Sequence, residues 1–231
     1  SPQTNNRKQI GSLLETPNFY HYLSAVDNLK ITQAISGRGG SSDIDEVLRI
    51  VKLDERKNSK FSSYSLGMKQ RLAIGAALLG NPNVLVFDEP TNGLDPVGIA
   101  EIRELIKSLA ASGKTIIMAS HLLDEVEKVC SHVLVLRFGK ILYSGTVDGI
   151  SNQSGFFELQ AESNSNLIET LKNHPEVEKI SEAEGKVIAY FKTQLDPSVL
   201  NRYLIENGIY LSHLVFKKMS LEEQFLELTK N

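Results

Sequence analysis

Three short apolar runs, separated by helical patterns, most constrain the fold of this chain. They cover residues 84–87, 115–118 and 133–136, and almost no polar residue interrupts them. Such runs are typical of parallel strands that are covered on both faces. Between the first two runs, Pro96 suits the first position of a helix, and an apolar helical face continues until Gly113. This alternation predicts an α/β domain with a parallel sheet and right-handed crossovers.

A second pattern begins after a stretch rich in Ser, Gly, Asn and Gln near residue 150. Strand and helix patterns over residues 156–216 follow the order β-α-β-β-α-β, which is the ferredoxin-like arrangement, and a last helix follows. No titratable cluster there suggests chemistry, so we expect an accessory structural or regulatory module. The sequence therefore predicts two domains, residues 1–150 and residues 151–231.

The composition narrows the class of partner. The net charge is −3, and because no basic stripe stands out we expect no nucleic-acid partner. One cysteine excludes an internal disulfide bond. No apolar stretch approaches the roughly 20 residues that a membrane span requires. Any role at a membrane is therefore expected to depend on a partner.

An acidic pair, Asp88 and Glu89, directly follows the apolar run at residues 84–87. A carboxylate at the end of a parallel strand lies at the sheet edge where α/β folds bind ligands. Asp88 there can hold Mg²⁺, and Glu89 can orient or deprotonate an attacking water. The alternative is a pair of acids that simply ends a strand and faces solvent. The apolar run before the pair and the sequence PTNGLDP after it disfavour that alternative.

A possible anion site lies upstream, where Ser65 suits a helix N-cap and Gly67 allows close approach to the backbone. Backbone N–H groups, the hydroxyl and the helix dipole would then converge on an anion. By itself this pattern would favour an ordinary capped helix. His121, which follows the run at residues 115–118, would by itself more often be a capping or packing residue. The order and spacing of these features change both interpretations.

Four motifs in series resemble the ATP-binding cassette of ABC transporters. They are SLGMKQ at residues 65–70, DEP at 88–90, NGLDP at 92–96 and ASH at 119–121, which resemble the signature motif, Walker B, the D-loop and the switch histidine. The resemblance implies a RecA-like core, a helical subdomain at about residues 16–80, and ATP and Mg²⁺ as cofactors. It implies catalytic roles for Glu89 and His121 and metal binding by Asp88. Nucleotide contacts are implied for Ser65, Leu66, Gly67, Met68, Gln70 and Asp95.

Glu15 marks a branch within that family. Residues 10–17 resemble the Q-loop, where a glutamine near Mg²⁺ is usual, and here Glu15 replaces it. The resemblance implies that Glu15 approaches the metal, and the alternative is a surface glutamate before a Thr-Pro turn. This replacement, the NFY at residues 18–20 and the segment 220–226 resemble the bacitracin and lantibiotic exporters.

The resemblance implies an ATPase subunit that powers a bacterial ABC transporter, an exporter of peptide antibiotics or similar compounds. It implies transmembrane permease subunits and a second cassette as partners, and a peripheral position on the cytoplasmic face of the cell membrane. An alternative stays open because no GxxxxGK[ST] phosphate loop occurs in the 231 residues. These 231 residues would then form an incomplete core, a non-hydrolysing fragment or a partner-binding module. Soluble ABC proteins are disfavoured, since no second cassette or coiled-coil insertion is present.

Overall fold

The chain folds into two compact units, residues 1–122 and residues 123–231. The computed structural model describes residues 9–15, 18–151, 155–193 and 195–229. The domain boundary near residue 150 and the helical subdomain at residues 16–80 remain predictions. Within the described ranges, no helix has the length and apolar composition that would cross a membrane.

The first unit alternates strands and helices, as the apolar runs predict. Its strands and helices are β1 (Ile10–Leu13), α1 (Ala25–Ser36), α2 (Ser41–Ile50), 3₁₀ turns at Asp54–Arg56 and Phe61–Ser63, α3 (Leu66–Leu78), β2 (Val84–Asp88), α4 (Pro96–Ala111) and β3 (Thr115–Ala119). Side chains cap three of these helices, at Ser24, Ser65 and Asp95. These caps accept backbone N–H groups that have no partner inside the helix, so they fix where each helix begins.

The three strands of this unit form a parallel sheet in the order β1-β2-β3. Leu85 and Phe87 of the central strand are fully buried. The prediction that residues 115–118 are covered on both faces is wrong, because Ile117 is 58% exposed. β3 is the outer strand of the described sheet, and the face that carries Ile117 is open to solvent.

Helix α2 packs into the first unit through one apolar face. Ile44, Val47 and Leu48 of α2 are buried, together with Val51 at its end. Helix α2 begins at Ser41, with Gly40 as its N-cap. Helix α3 contacts both α2 and β1, so the helix that carries the signature-like motif is anchored to the sheet.

The second unit begins with α5 (Leu123–Val129), an antiparallel hairpin of β4 (His132–Arg137) and β5 (Lys140–Thr146), and α6 (Val147–Ser151). Phe138 and Gly139 both have positive φ, which is the conformation of a tight two-residue hairpin turn. The prediction that residues 133–136 join the parallel sheet is wrong. In the described residues β4 pairs only with β5, because this turn returns the chain directly alongside it.

A four-stranded antiparallel sheet completes the second unit. The remaining elements are β6 (Gly155–Ala161), α7 (Asn164–Lys172), β7 (Val177–Ala183), β8 (Lys186–Phe191), α8 (Pro197–Glu206), β9 (Leu211–Lys218) and α9 (Leu221–Thr229). The strands lie in the order β7-β8-β6-β9, and Phe157 and Leu159 of β6 are buried in one core with Leu167 and Leu204 of the two helices. From β6 to β9 the elements follow the predicted β-α-β-β-α-β order, for which ferredoxin-like remains our interpretation.

Candidate active site

The parallel sheet brings four of the predicted site residues to one edge. Glu15 lies two residues after β1, Asp88 is the last residue of β2, Glu89 follows it, and His121 lies two residues after β3. Because all three strands run in the same direction, these positions belong to the carboxyl edge of the sheet. These four residues therefore lie at the same edge because each stands at, or just after, the end of a parallel strand.

Glu89 connects the ends of β2 and β3. Its backbone N–H donates to the carbonyl of Ala119 at 3.0 Å, and its Oε2 lies 2.8 Å from Nδ1 of His121. The Glu89 side chain is 21% exposed and that of His121 is 61% exposed. Glu89 also has a φ of +47°, in the left-handed region that side chains other than glycine rarely adopt. Such backbone strain, of about 1–3 kcal/mol, is concentrated at functional sites.

Glu15 has a specific partner that the sequence does not reveal. The side-chain amide Nδ2 of Asn92 donates to Oε1 of Glu15 at 2.9 Å. The two residues are 77 positions apart, so no local pattern could connect them. Asn92 also donates its backbone N–H to the carbonyl of Glu89 at 3.1 Å. The loop after β2 therefore contacts Glu15 while it carries Glu89.

Asp95 caps helix α4 in this structure. Its Oδ1 accepts the backbone N–H of Gly98 at 2.8 Å, and Pro96 follows at the first helical position. This hydrogen bond explains the acid at this position without a ligand. A nucleotide-binding role for Asp95 remains a prediction.

The signature-like motif forms the first turn of α3. The Ser65 hydroxyl accepts the backbone N–H of Met68 at 3.3 Å, and the side chain of Leu66 is 47% exposed. At Gly67, the second residue of the helix, an added Cβ would meet no atom of the described residues within 4 Å. At Gly75 of the same helix, it would approach Val47 Cγ1 to 2.9 Å. Packing therefore explains the glycine at position 75 but not the one at position 67.

Gln70 is buried, whereas the first residues of the signature-like motif are exposed. It is 2% exposed, and its Nε2 has no hydrogen-bond partner in the described part of the chain. A direct nucleotide contact by Gln70 would require the side chain to leave this buried position. Its predicted role in nucleotide binding therefore remains untested.

The acids at the sheet edge suit an Mg²⁺ ion that arrives with phosphate. Among the described residues, no group of three or more Asp, Glu, His or Cys side chains forms a site that could hold a metal. Mg²⁺ is usually held by one or two carboxylates, waters and substrate phosphates rather than by a cage of protein ligands. The carboxylates of Asp88 and Glu15, each at the end of a parallel strand, fit that donor set.

An aromatic groove lies next to this site along the chain. A cavity of about 350 Å³ is lined by Asn18, Phe19, Tyr20, Asn28, Ile31, Thr32 and Ile35. The buried Asn28 fixes its wall, because its Oδ1 accepts the backbone N–H of Tyr20 at 2.8 Å and its Nδ2 donates to the Tyr20 carbonyl at 3.1 Å. The side chain of Tyr22 is also exposed.

Comparison with known proteins finds similarity over most of the chain. A protein-family model described as "AAA domain, putative AbiEii toxin, Type IV TA system" matches residues 11–126. The bacitracin transport ATP-binding protein BcrA of Bacillus licheniformis is 37% identical over 223 residues, which are 96% of this chain and 73% of that protein. The lantibiotic transport ATP-binding protein SrtF of Streptococcus pyogenes is 41% identical over 153 residues, 66% of each chain.

Solved structures also show similarity, at the level of the fold. A structure described as the ATP-binding subunit of an ABC transporter superposes with a TM-score of 0.55 at 30% identity. The match covers 65% of this chain and 64% of that one, so the chain spans less than two thirds of the solved relative.

Proposed function

This chain belongs to the family of ABC transporter ATP-binding proteins, and we propose that it is the ATP-hydrolysing subunit that powers such a transporter. Similarity to the bacitracin and lantibiotic transport proteins supports a peptide antibiotic or a similar compound as the exported substrate. The proposal concerns the full-length protein. The residues described above would supply the part of its site formed by the signature-like motif, the acidic pair and His121.

The observation that carries this proposal is the open space at Gly67. Glycine within a helix is less favourable than alanine by about 1 kcal/mol. Among the residues that the structure describes, no atom lies within 4 Å of a Cβ placed there, so the described part of the fold does not explain that cost. A glycine at an exposed helix N-terminus does allow an anion to approach the backbone closely. We assign Ser65 and Gly67 to contact with phosphate groups.

ATP bound with Mg²⁺ would supply the phosphoanhydride that is hydrolysed, with the ion bridging phosphate oxygens. Asp88 and Glu15 would hold the ion at the sheet edge. Glu89 would orient the attacking water and accept its proton. His121, which contacts the Glu89 carboxylate at 2.8 Å, would keep that carboxylate in place.

The exposed start of α3 supports a second cassette as partner. Ser65, Leu66 and Gly67 leave the helix N-terminus accessible, and in the family this motif faces the nucleotide that is bound to the opposite subunit. We propose a dimer in which each chain contributes this motif to its partner's ATP. Its closure would pull on paired membrane subunits.

The aromatic groove is the proposed dock for those subunits. The apolar wall of Phe19 and Ile35 and the exposed Tyr20 and Tyr22 would bind a short apolar element that projects from the permease. This interaction would place the protein on the cytoplasmic face of the cell membrane.

Substitution of Gly67 by alanine in the full-length protein tests the proposal. We expect Gly67→Ala to leave the free energy of unfolding unchanged or to raise it by up to about 1 kcal/mol, because alanine favours the helix. ATP hydrolysis should fall on the order of 10²-fold, the magnitude of losing one anion-stabilising contact. Gly75→Ala is the matched control on the same helix, since it should instead destabilise the fold by steric conflict with Val47. Unchanged hydrolysis in Gly67→Ala would contradict the proposal.

A further inference from the structure

The hydrogen bond between Asn92 and Glu15 joins the segment after β1 to the loop after β2. We propose that Asn92 is a positioning residue, which holds the Glu15 carboxylate in the orientation needed at the metal-binding edge. This inference rests on the proposed ATPase function and adds a residue to that site.

The polarity of this contact is fixed by chemistry. A glutamate carboxylate can only accept hydrogen bonds, so the Asn92 side chain must present its NH₂ group, as the 2.9 Å contact from Nδ2 to Oε1 shows. With Oε1 engaged in this way, Oε2 is the oxygen that Glu15 can offer to a cation. An exposed glutamate without such a partner would distribute over many rotamers.

The loop that carries Asn92 is itself fixed at several points. The Asn92 backbone N–H donates to the carbonyl of Glu89 at 3.1 Å. Next to it, Gly93 has a φ of +73°, and an added Cβ would lie 3.3 Å from Leu66 Cδ2. The loop therefore touches Glu15 through Asn92, carries Glu89 at its start, and packs against the signature-like motif at Leu66. A displacement of Glu15 would be transmitted through Asn92 to this loop.

The side chains of Asn92 and Glu15 are both exposed. A positioning role and a structural role therefore predict different effects when their hydrogen bond is lost. An exposed hydrogen bond contributes little to global stability. Loss of the bond should therefore change metal-nucleotide binding and leave the thermal unfolding midpoint in place. A structural role would instead shift the midpoint.

The test uses the full-length protein and calorimetric titration with ATP, in the presence of Mg²⁺ and separately in EDTA. Asn92→Ala removes the donor without changing the charge. We expect the dissociation constant for Mg-ATP to rise about three- to tenfold, within the net contribution of one typical hydrogen bond, while binding in EDTA changes less. Asn58→Ala is the matched control, because Asn58 is an exposed asparagine of the same unit that does not contact Glu15.

A double substitution makes the test specific for the bond. In Asn92→Asp with Glu15→Gln the donor and acceptor are exchanged, since the new glutamine can donate to the new aspartate. The pair keeps its net charge of −1, but an amide replaces the carboxylate proposed to hold the ion. We therefore expect the exchanged pair to bind Mg-ATP more weakly than wild type and more tightly than Glu15→Gln alone. Glu15→Gln alone controls for the change at position 15.

Three outcomes are informative. Weakened binding in Asn92→Ala with recovery in the exchanged pair supports the proposal. Unchanged binding in Asn92→Ala, or binding in the exchanged pair no tighter than in Glu15→Gln alone, overturns it while the ATPase function stands. A wild-type protein that neither binds nor hydrolyses Mg-ATP refutes the proposed function and this inference with it.

Discussion

The imidazole of His121 and the carboxylate of Glu89 contact each other directly, with 2.8 Å between Nδ1 and Oε2. A carboxylate accepts, so Nδ1 must carry a hydrogen, and Nε2 is the ring nitrogen left to face a ligand. Glu89 therefore selects the tautomer and orientation of His121, while His121 restrains Glu89 in return. This pair joins the ends of two adjacent parallel strands.

Neutral substitutions of Asp88 and Glu89 should impair different steps, nucleotide binding in one case and hydrolysis in the other. Glu89→Gln should retain Mg-ATP binding and reduce turnover by roughly 10²-fold or more, because it removes the proton acceptor. Asp88→Asn should weaken Mg-ATP binding itself, because it removes a carboxylate from the metal edge. Equilibrium binding and steady-state hydrolysis of the full-length protein separate the two cases. Near-normal turnover in Glu89→Gln would remove Glu89 from the mechanism.

The positive φ of Glu89 predicts that a residue needed for hydrolysis lowers the free energy of unfolding at this position. Glu89→Ala and Glu89→Gly both remove the carboxylate, so both should abolish hydrolysis. Only glycine adopts a φ of +47° without steric cost. We expect the glycine variant to be more stable than the alanine variant by about 1 kcal/mol, measured by urea denaturation. Equal stabilities would show that this backbone carries no strain.

Arg38 should be a strong stability determinant of the first unit. Its guanidinium donates to the Ile10 carbonyl of β1 at 2.9 Å and to the carbonyls of Ala77 and Ala76, at the end of α3, at 3.4 and 3.5 Å. A cation at a helix C-terminus is favourable, and burial lowers the pKa of this guanidinium. Arg38→Met should lower the free energy of unfolding by about 1 kcal/mol, because the partly buried carbonyls of Ala76 and Ala77 lose their donor. Arg38→Lys keeps the charge and should recover only part of the loss.

Glu158 should control the acid stability of the four-stranded sheet. Its carboxylate contacts Lys217 at 2.5 Å, Lys186 at 3.1 Å and His213 at 3.4 Å. These partners, led by the hydrogen bond from Lys217, lower the pKa of Glu158 from 4.5 to about 2. Because the pKa is depressed in the folded state, the stabilisation is complete above pH 4.5 and is lost as the pH falls towards 2.

The measurement is amide hydrogen exchange of β6 and β9 across that pH range, corrected for intrinsic rates. Glu158→Gln should remove the pH-dependent part of their protection. Glu162→Gln, an exposed acid just beyond β6, is the control. A Glu158→Gln profile parallel to that of wild type would show that another group governs acid stability.

Local chemistry explains which parts of the structure the sequence could predict. Ser24, Ser65 and Pro96 mark helix starts because capping and the proline ring act within one turn of chain. The α/β class is confirmed, and the apolar runs at residues 84–87 and 115–118 do form parallel strands, whereas ligand binding at their edge stays a prediction. The identity of the family is confirmed by the comparisons, as the motif order had implied.

The features that sequence reasoning missed all depend on distant neighbours. The exposure of Ile117 depends on which element covers β3, and whether the apolar run at residues 133–136 joins the parallel sheet depends on which strand lies beside it. The contact between Asn92 and Glu15 arises only when β1 and β2 lie side by side. Burial of Gln70 likewise depends on the packing of α3, which its motif does not encode.

The pairing of β1 with β2 also has a consequence for synthesis of the protein. Ile10 pairs with Val84, which the ribosome adds 74 residues later. At about 5–20 residues per second, β1 spends roughly 4–15 seconds without its neighbour. During that interval its apolar and backbone groups are available to chaperones or to other nascent chains. The yield of folded protein should therefore depend on how fast the ribosome translates the segment between these two strands.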